Sequence, residues 1–210
     1  MSGLGLRAQL LATARAMNSQ GLNQGTSGNV SVRDGSGLLI TPSALPYDRC
    51  GEDDLVWMDG EGKVEGRRKP SSEWRMHAAI YRYYPQAGAV LHAHSLYCTT
   101  LACLERPIPA FHYMVAMAGG DSIRCAPYAT FGTQALSDAA IAALEDRSAA
   151  LLGHHGMICL AADLDHVLAL AIEVETLARM YLQALQVAEP PLLPRAEMAE
   201  VLRRFADYKA

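Results

Sequence analysis

The apolar run Ala87-Gly-Ala-Val-Leu91 leads without interruption into His92-Ala-His94. A short apolar run of this kind reads as a buried strand. Side chains two apart on a strand leave from the same face, so both imidazoles emerge together at its end. The fold must therefore bury a strand and still give two polar rings something to do.

The surrounding pattern supplies the rest of a sheet and its cover. Asn29–Arg33 and Leu38–Ile40 flank an Asp34-Gly-Ser-Gly turn, and Leu55–Met58 and Lys63–Glu65 flank Asp59-Gly-Glu-Gly, so two hairpins are expected. Further strands are expected at 110–114, 123–126, 149–152 and 157–160. Helical periodicity covers 4–19, where Leu6, Leu10, Leu11, Ala14 and Met17 share a stripe, and also 72–84, 95–104 and 133–145. The longest helix runs over about 163–187, with Asp163 and Asp165 complementing its dipole. Three prolines, Pro190, Pro191 and Pro194, separate it from a last helix at 195–207. Strands interleaved with helices predict an α/β or α+β chain with a mixed sheet.

At 210 residues the chain fits a single domain with a substantial core. Net charge is −4, so no basic field invites nucleic acid or an anionic membrane. The amino-terminal residues do not read as a secretory leader, and no run approaches the roughly 20 apolar residues of a membrane span. The five cysteines form no C-x-x-C pair, which predicts reduced thiols in the cytoplasm, most of them acting as small apolar fillers.

His92 and His94 can share one cation, and zinc accepts imidazole nitrogen readily. A third ligand is expected in Gly153-His154-His155-Gly156, where glycines let the backbone approach a crowded site. Three histidines leave a coordination position open, as catalytic rather than structural sites do. On spacing alone, rings satisfied by hydrogen bonds without any metal fit as well. His77, His112 and His166 read as structural. Ser71-Ser72-Glu73 opens a helix after Pro70, and such a start, with two hydroxyls beside it, suits a phosphate. A plain N-cap explains the same residues. The loop Gly25-Thr-Ser-Gly-Asn29 can add donors to that anion, although it is neither a dinucleotide fingerprint nor a P-loop.

Taken together, Gly21–Arg33, Lys69–Arg75, His92-Ala-His94, His112–Met114, Gly119-Gly120, Cys125–Thr133 and His154-His-Gly156 resemble the class II aldolase and adducin family, particularly its branch that cleaves fuculose 1-phosphate. These strings occur in the family's order along nearly the whole chain. The resemblance implies one domain over residues 1–210, a three-layer α/β fold whose central mixed, largely antiparallel sheet is flanked by helices. It implies a homotetramer with active sites at subunit interfaces. His92, His94 and His155 match the zinc ligands, with manganese, cobalt or iron as possible substitutes. Glu73 matches the catalytic acid and base, and can also ligate the metal before substrate arrives. Gly28, Asn29, Ser43, Ala44, Ser71 and Ser72 match the phosphate binders. Tyr113 matches a catalytic tyrosine that reaches a neighbouring subunit, and Tyr208 one that closes over substrate. The chain departs from the family at Ser43-Ala44, where relatives usually read Thr-Gly; Ala44 keeps the N–H but is strained if the loop needs positive φ. The tail after Tyr208 is short.

The expected reaction is retro-aldol cleavage of a 5-deoxyketose 1-phosphate to dihydroxyacetone phosphate and a short aldehyde. Candidate substrates are L-fuculose 1-phosphate, 5-deoxyribulose 1-phosphate and 5-(methylthio)ribulose 1-phosphate. The family also contains sugar-phosphate epimerases, methylthioribulose-1-phosphate dehydratases and non-catalytic adducin heads. The joint presence of Glu73 and the three histidines argues against the last.

Overall fold

The computed structural model describes residues 5–209, with side chains through Asp207. Its strands are β1 (Asn29–Asp34), β2 (Gly37–Ile40), β3 (Val56–Met58), β4 (Val64–Glu65), β5 (Ala89–Ala93), β6 (Arg124–Ala126), β7 (Ala149–Leu152) and β8 (Gly156–Ala161). Its helices are α1 (Leu6–Ser19), α2 (Trp74–Tyr83), α3 (Leu96–Cys103), α4 (Gln134–Ala143), α5 (Leu164–Leu185) and α6 (Arg195–Lys209). The strands form one sheet in the order β4-β3-β2-β1-β5-β8-β7-β6. Every neighbouring pair is antiparallel except β6 with β7. This is the mixed, largely antiparallel sheet expected.

Strand alternation divides the core into two layers. Val30, Val32, Leu39, Leu91, Leu151 and Cys159 pack with residues of α1, α3 and α5. Their chain neighbours Leu38, Ile40, Val90, Ala150 and Ile158 pack with Met76 and Ile80 of α2 and with Leu136 and Ala140 of α4. A one-residue slip of any central strand would exchange these two sets, so the register is firmly held. The central strand β5 has neighbours on both sides: His92 lies opposite Asn29 on β1 and Ile158 on β8. By parity His92 belongs with Val90, on the α2 side.

Two expectations need correction. No strand forms at 110–114. Pro107 and Pro109 remove backbone donors there, Ile108 makes a single bridge with Ile123, and the chain then enters a 3-10 turn at Tyr113–Ala118. The His112 ring caps that turn by accepting from the Met114 N–H at 3.3 Å. The helix expected from Ser72 begins at Trp74, and Ser72 does not cap it. Asp163 does cap α5, accepting from the His166 N–H at 2.9 Å. Cys50, Cys98 and Cys159 are buried fillers, and no disulfide joins the cysteines. No helix among the described residues is long and apolar enough to cross a membrane.

Candidate active site

β5 delivers His92 and, one residue past its end, His94. The hairpin turn between β7 and β8 delivers His155. Glycine is required beside it: a Cβ on Gly156 would run into the Ala93 carbonyl oxygen, where β8 passes the end of β5. His154, inside the same turn, has φ 53°; its exposed ring lies at the pocket rim 6.0 Å from Tyr128 and stays out of the cluster. Glu73 stands immediately before α2 and reaches the three imidazoles. The ligand atoms of Glu73, His92, His94 and His155 all lie within 4.8 Å of one another. The rings meet edge to face with centroids 4.7–4.8 Å apart.

Each donor has a defined attitude. The His92 Nδ1–H donates to the Met157 carbonyl at 2.8 Å, which leaves Nε2 as a lone pair facing inward. That atom lies 2.9 Å from His94 Nε2 and 3.2 Å from Glu73 Oε2. Glu73 Oε1 lies 3.1 Å from His155 Nε2 but makes no well-formed hydrogen bond. Burial opposes charge on Glu73, yet His92 and His155 outweigh it and hold the carboxyl far below the usual range. Burial likewise acts to lower His92, but the Glu73 charge wins and raises it. For His94, burial is joined by the neighbouring imidazoles and its pKa falls to about 4. Converging lone pairs, a buried carboxylate and one orphaned oxygen fit a divalent cation, which supplies positive charge without requiring a proton on any ring.

A pocket of about 340 Å³ opens beside this cluster. Its far wall is made of loops. Segments 41–43 and 69–71 run side by side, with Ser71 N–H donating to the Thr41 carbonyl at 3.1 Å and Ser43 N–H to the Lys69 carbonyl at 3.0 Å. This pairing sets Ser43-Ala44 beside Ser71-Ser72. Gly28 and Asn29 complete the wall with Thr26 and Ser27. Tyr47, buried and with its pKa pushed up to about 12, donates its hydroxyl to the Gly28 carbonyl at 2.9 Å and steadies that loop. No lysine or arginine lines the pocket among the described residues, so an oxyanion here is met by hydroxyls, backbone N–H groups and the positive end of α2. Gly28 has φ 78° and Ala44 has φ 56°. Ala44 therefore carries the left-handed strain that its substitution for glycine threatened.

Of the residues singled out from sequence, Gly28, Asn29, Ser43, Ala44, Ser71, Ser72, Glu73, His94 and His155 line this one pocket, and His92 lies directly beneath. Tyr113 does not line it: it is 48% exposed on the 3-10 turn, beside Phe205 of α6. The backbone of Tyr208 belongs to α6, but its side chain lies outside the described residues. Tyr128 and Phe131, 58% and 65% exposed at the pocket rim, received no role from sequence. They sit within Cys125–Thr133, where two exposed aromatics in one loop were the available signal. Tyr47 gave no such signal.

Residues 8–182 match the family model described as "Class II Aldolase and Adducin N-terminal domain". The chain is 54% identical over 207 residues to a Rhodospirillum rubrum protein named 5-methylthioribulose-1-phosphate/5-deoxyribulose-1-phosphate aldolase, covering 99% of this chain and 94% of the relative. It is 52% identical over 204 residues to an L-fuculose phosphate aldolase of Escherichia coli O6:H1, covering 97% and 95%. A solved structure named L-fuculose 1-phosphate aldolase superposes with a TM-score of 0.94 at 40% identity, covering 98% of each chain.

Proposed function

The chain belongs to the class II aldolase and adducin family, and from that membership we propose that it is a zinc-dependent lyase cleaving 5-deoxyketose 1-phosphates to dihydroxyacetone phosphate and a short aldehyde. The observation that carries the reading is the convergence of three imidazole nitrogens on Glu73 at the edge of a pocket lined with neutral oxyanion donors. His92, His94 and His155 would hold the metal. When bound, it supplies Lewis acidity for negative charge developing on a ketone oxygen.

The chain's own residues do the rest. Ser43, Ser71, Ser72 and the N–H groups at Gly28 and Ala44 hold the phosphate and fix the ketose in register, which lowers the entropic part of the barrier. Asn29 lines the same wall. Glu73 returns a proton to the carbon left electron-rich by scission, and removes it in the synthetic direction. Tyr113 of a neighbouring copy takes the proton from the hydroxyl on the aldehyde-forming carbon, and Tyr208 closes over that end. This assignment requires at least one neighbouring copy, which the exposed Tyr113 leaves room for, and the homotetramer that the family resemblance implies would supply it. Residence in the cytoplasm fits the unpaired cysteines.

Tyr128 and Phe131 give the pocket an apolar rim, which would suit a methyl or methylthio terminus at the aldehyde end. The relatives at 54% and 52% identity act on different members of this class, so identity does not choose among them. A panel of L-fuculose 1-phosphate, 5-deoxyribulose 1-phosphate and 5-(methylthio)ribulose 1-phosphate, coupled to detection of dihydroxyacetone phosphate, tests the reading. Release from at least one is expected. Epimer or dehydrated product without dihydroxyacetone phosphate refutes it.

A further inference from the structure

A file of polar groups runs away from the candidate site between α2 and β1, through an otherwise apolar layer. Glu73, at the N-cap of α2, and His77 and Tyr81 within it recur every four residues and share one face. Asn29 and Ser31 recur every two residues along β1 and face them. Four residues of helix advance roughly 6 Å and two residues of strand roughly 6.6 Å, so the two rows stay in step and interdigitate. Glu73 Oε2 lies 2.9 Å from Asn29 Nδ2, and Asn29 Oδ1 lies 2.5 Å from His77 Nε2. His77 Nδ1 lies 2.7 Å from Ser31 Oγ, which lies 2.9 Å from the Tyr81 hydroxyl. All five side chains are buried.

The file has a direction. His77 is fully buried, and burial lowers its pKa to about 3, so the ring is neutral, with one donor and one acceptor. At one end the Glu73 carboxylate accepts, so the Asn29 amide must present its N–H₂ there and its oxygen to His77. The ring then donates from Nε2 and accepts at Nδ1 from the Ser31 hydroxyl, which in turn accepts from Tyr81. The opposite polarity would turn the Asn29 carbonyl oxygen onto the carboxylate. Asn29 thus holds Oε2 by an N–H, while Oε1 turns toward His155, 3.1 Å away.

We propose that His77, Ser31 and Tyr81 are positioning residues that lock the Asn29 amide with its N–H on Glu73 Oε2 and so hold the carboxylate in the attitude its acid–base step requires. The inference rests on the reading of Glu73 as the acid and base of the reaction. It assigns Asn29 a second duty besides lining the oxyanion wall.

Two readouts on the full-length, zinc-loaded protein test it. Imidazole ¹⁵N spectra should show His77 with its proton on Nε2; a proton on Nδ1 overturns the proposal whatever the activity. Exchange of the dihydroxyacetone phosphate carbon-bound proton in D₂O isolates the proton step from carbon–carbon cleavage. His77→Leu should lose about 100-fold in exchange and in cleavage kcat, with KM within about twofold and zinc content unchanged. His77→Gln, which keeps an N–H near the Nε2 position, should recover at least about tenfold of that loss. If His77→Leu does not fold, Ser31→Ala carries the same test, with an expected loss of about tenfold. Wild-type exchange in a folded, zinc-loaded His77→Leu or Ser31→Ala protein overturns the proposal, as does loss of zinc in step with activity, or His77→Gln as impaired as His77→Leu. A wild type with neither cleavage nor exchange refutes the aldolase reading instead, and the tautomer spectrum still decides the relay.

Discussion

The two ends of the pocket are built in opposite ways. At the end proposed to hold a cation the candidate groups are side chains on or beside regular elements: His92 from β5, His94 one residue beyond, His155 from a tight hairpin and Glu73 at the start of α2. Their positions are fixed by strand register and by buried hydrogen bonds such as His92 Nδ1–H to the Met157 carbonyl. At the end proposed to hold an oxyanion the wall is loop backbone, with Gly28 and Ala44 in left-handed conformations and Ser43, Ala44 and Ser72 exposed. Side chains that handle charge and protons need a rigid frame. An anion that only has to be held can be met by N–H groups, which any residue supplies if the backbone takes the right shape. Substitutions at the first end should therefore strike kcat, and those at the second should strike KM.

Removing a ligand gives the largest effect. His155→Ala should leave two imidazoles, abolish stoichiometric zinc and lower kcat by about 10⁴-fold or more, by analogy with loss of metal-derived charge stabilisation; elemental analysis beside a turnover assay checks it. Glu73→Gln is expected to keep zinc and lose about 10³-fold in kcat. If zinc is lost as well, Glu73 is a structural ligand first, and the division between the ends has to be redrawn. Ser72→Ala, at an exposed hydroxyl of the far wall, should raise KM about tenfold with kcat within about threefold, the scale of one hydrogen bond to an anion. An equal fall in kcat would mean that phosphate contacts are realised only in the transition state.

The smallest expected effect concerns Ala44, where φ is 56°. Left-handed backbone costs alanine about 1–2 kcal/mol, while glycine adds about 0.5–1 kcal/mol of unfolded-state freedom. Ala44→Gly should therefore stabilise the protein by about 0.5–1 kcal/mol in chemical denaturation and leave kcat within about twofold. Gly28→Ala points the other way, since its Cβ would collide with the buried Asn23 amide at a φ of 78°. It should destabilise the loop and raise KM.

Legibility from sequence follows the same division. The His92-x-His94 spacing and the glycine-flanked His154-His155 turn point to a shared site because period-two geometry and close backbone approach leave marks in single residues, while the ligand set itself follows from the family resemblance. The alternation of β1 and the short apolar runs of β2, β7 and β8 mark the strands in the same way, but strand order is out of reach, since it depends on contacts between distant segments. The strand expected at 110–114 does not form because Pro107 and Pro109 withhold backbone donors beside it, which outweighs the β-prone residues that follow. Tyr47 bonding to Gly28 and the interleaving of His77 with Ser31 could not be read, because each requires knowing which helix or loop lies against which strand. On its own helix His77 reads as structural, and the pairing with β1 shows its tie to Glu73.

The most direct measurement is turnover of the preferred ketose phosphate after metal has been stripped by a chelator and the loss verified by elemental analysis. The account predicts that release of dihydroxyacetone phosphate falls at least about 10³-fold and returns on adding one equivalent of zinc per chain. Undiminished turnover by verified metal-free protein would contradict it.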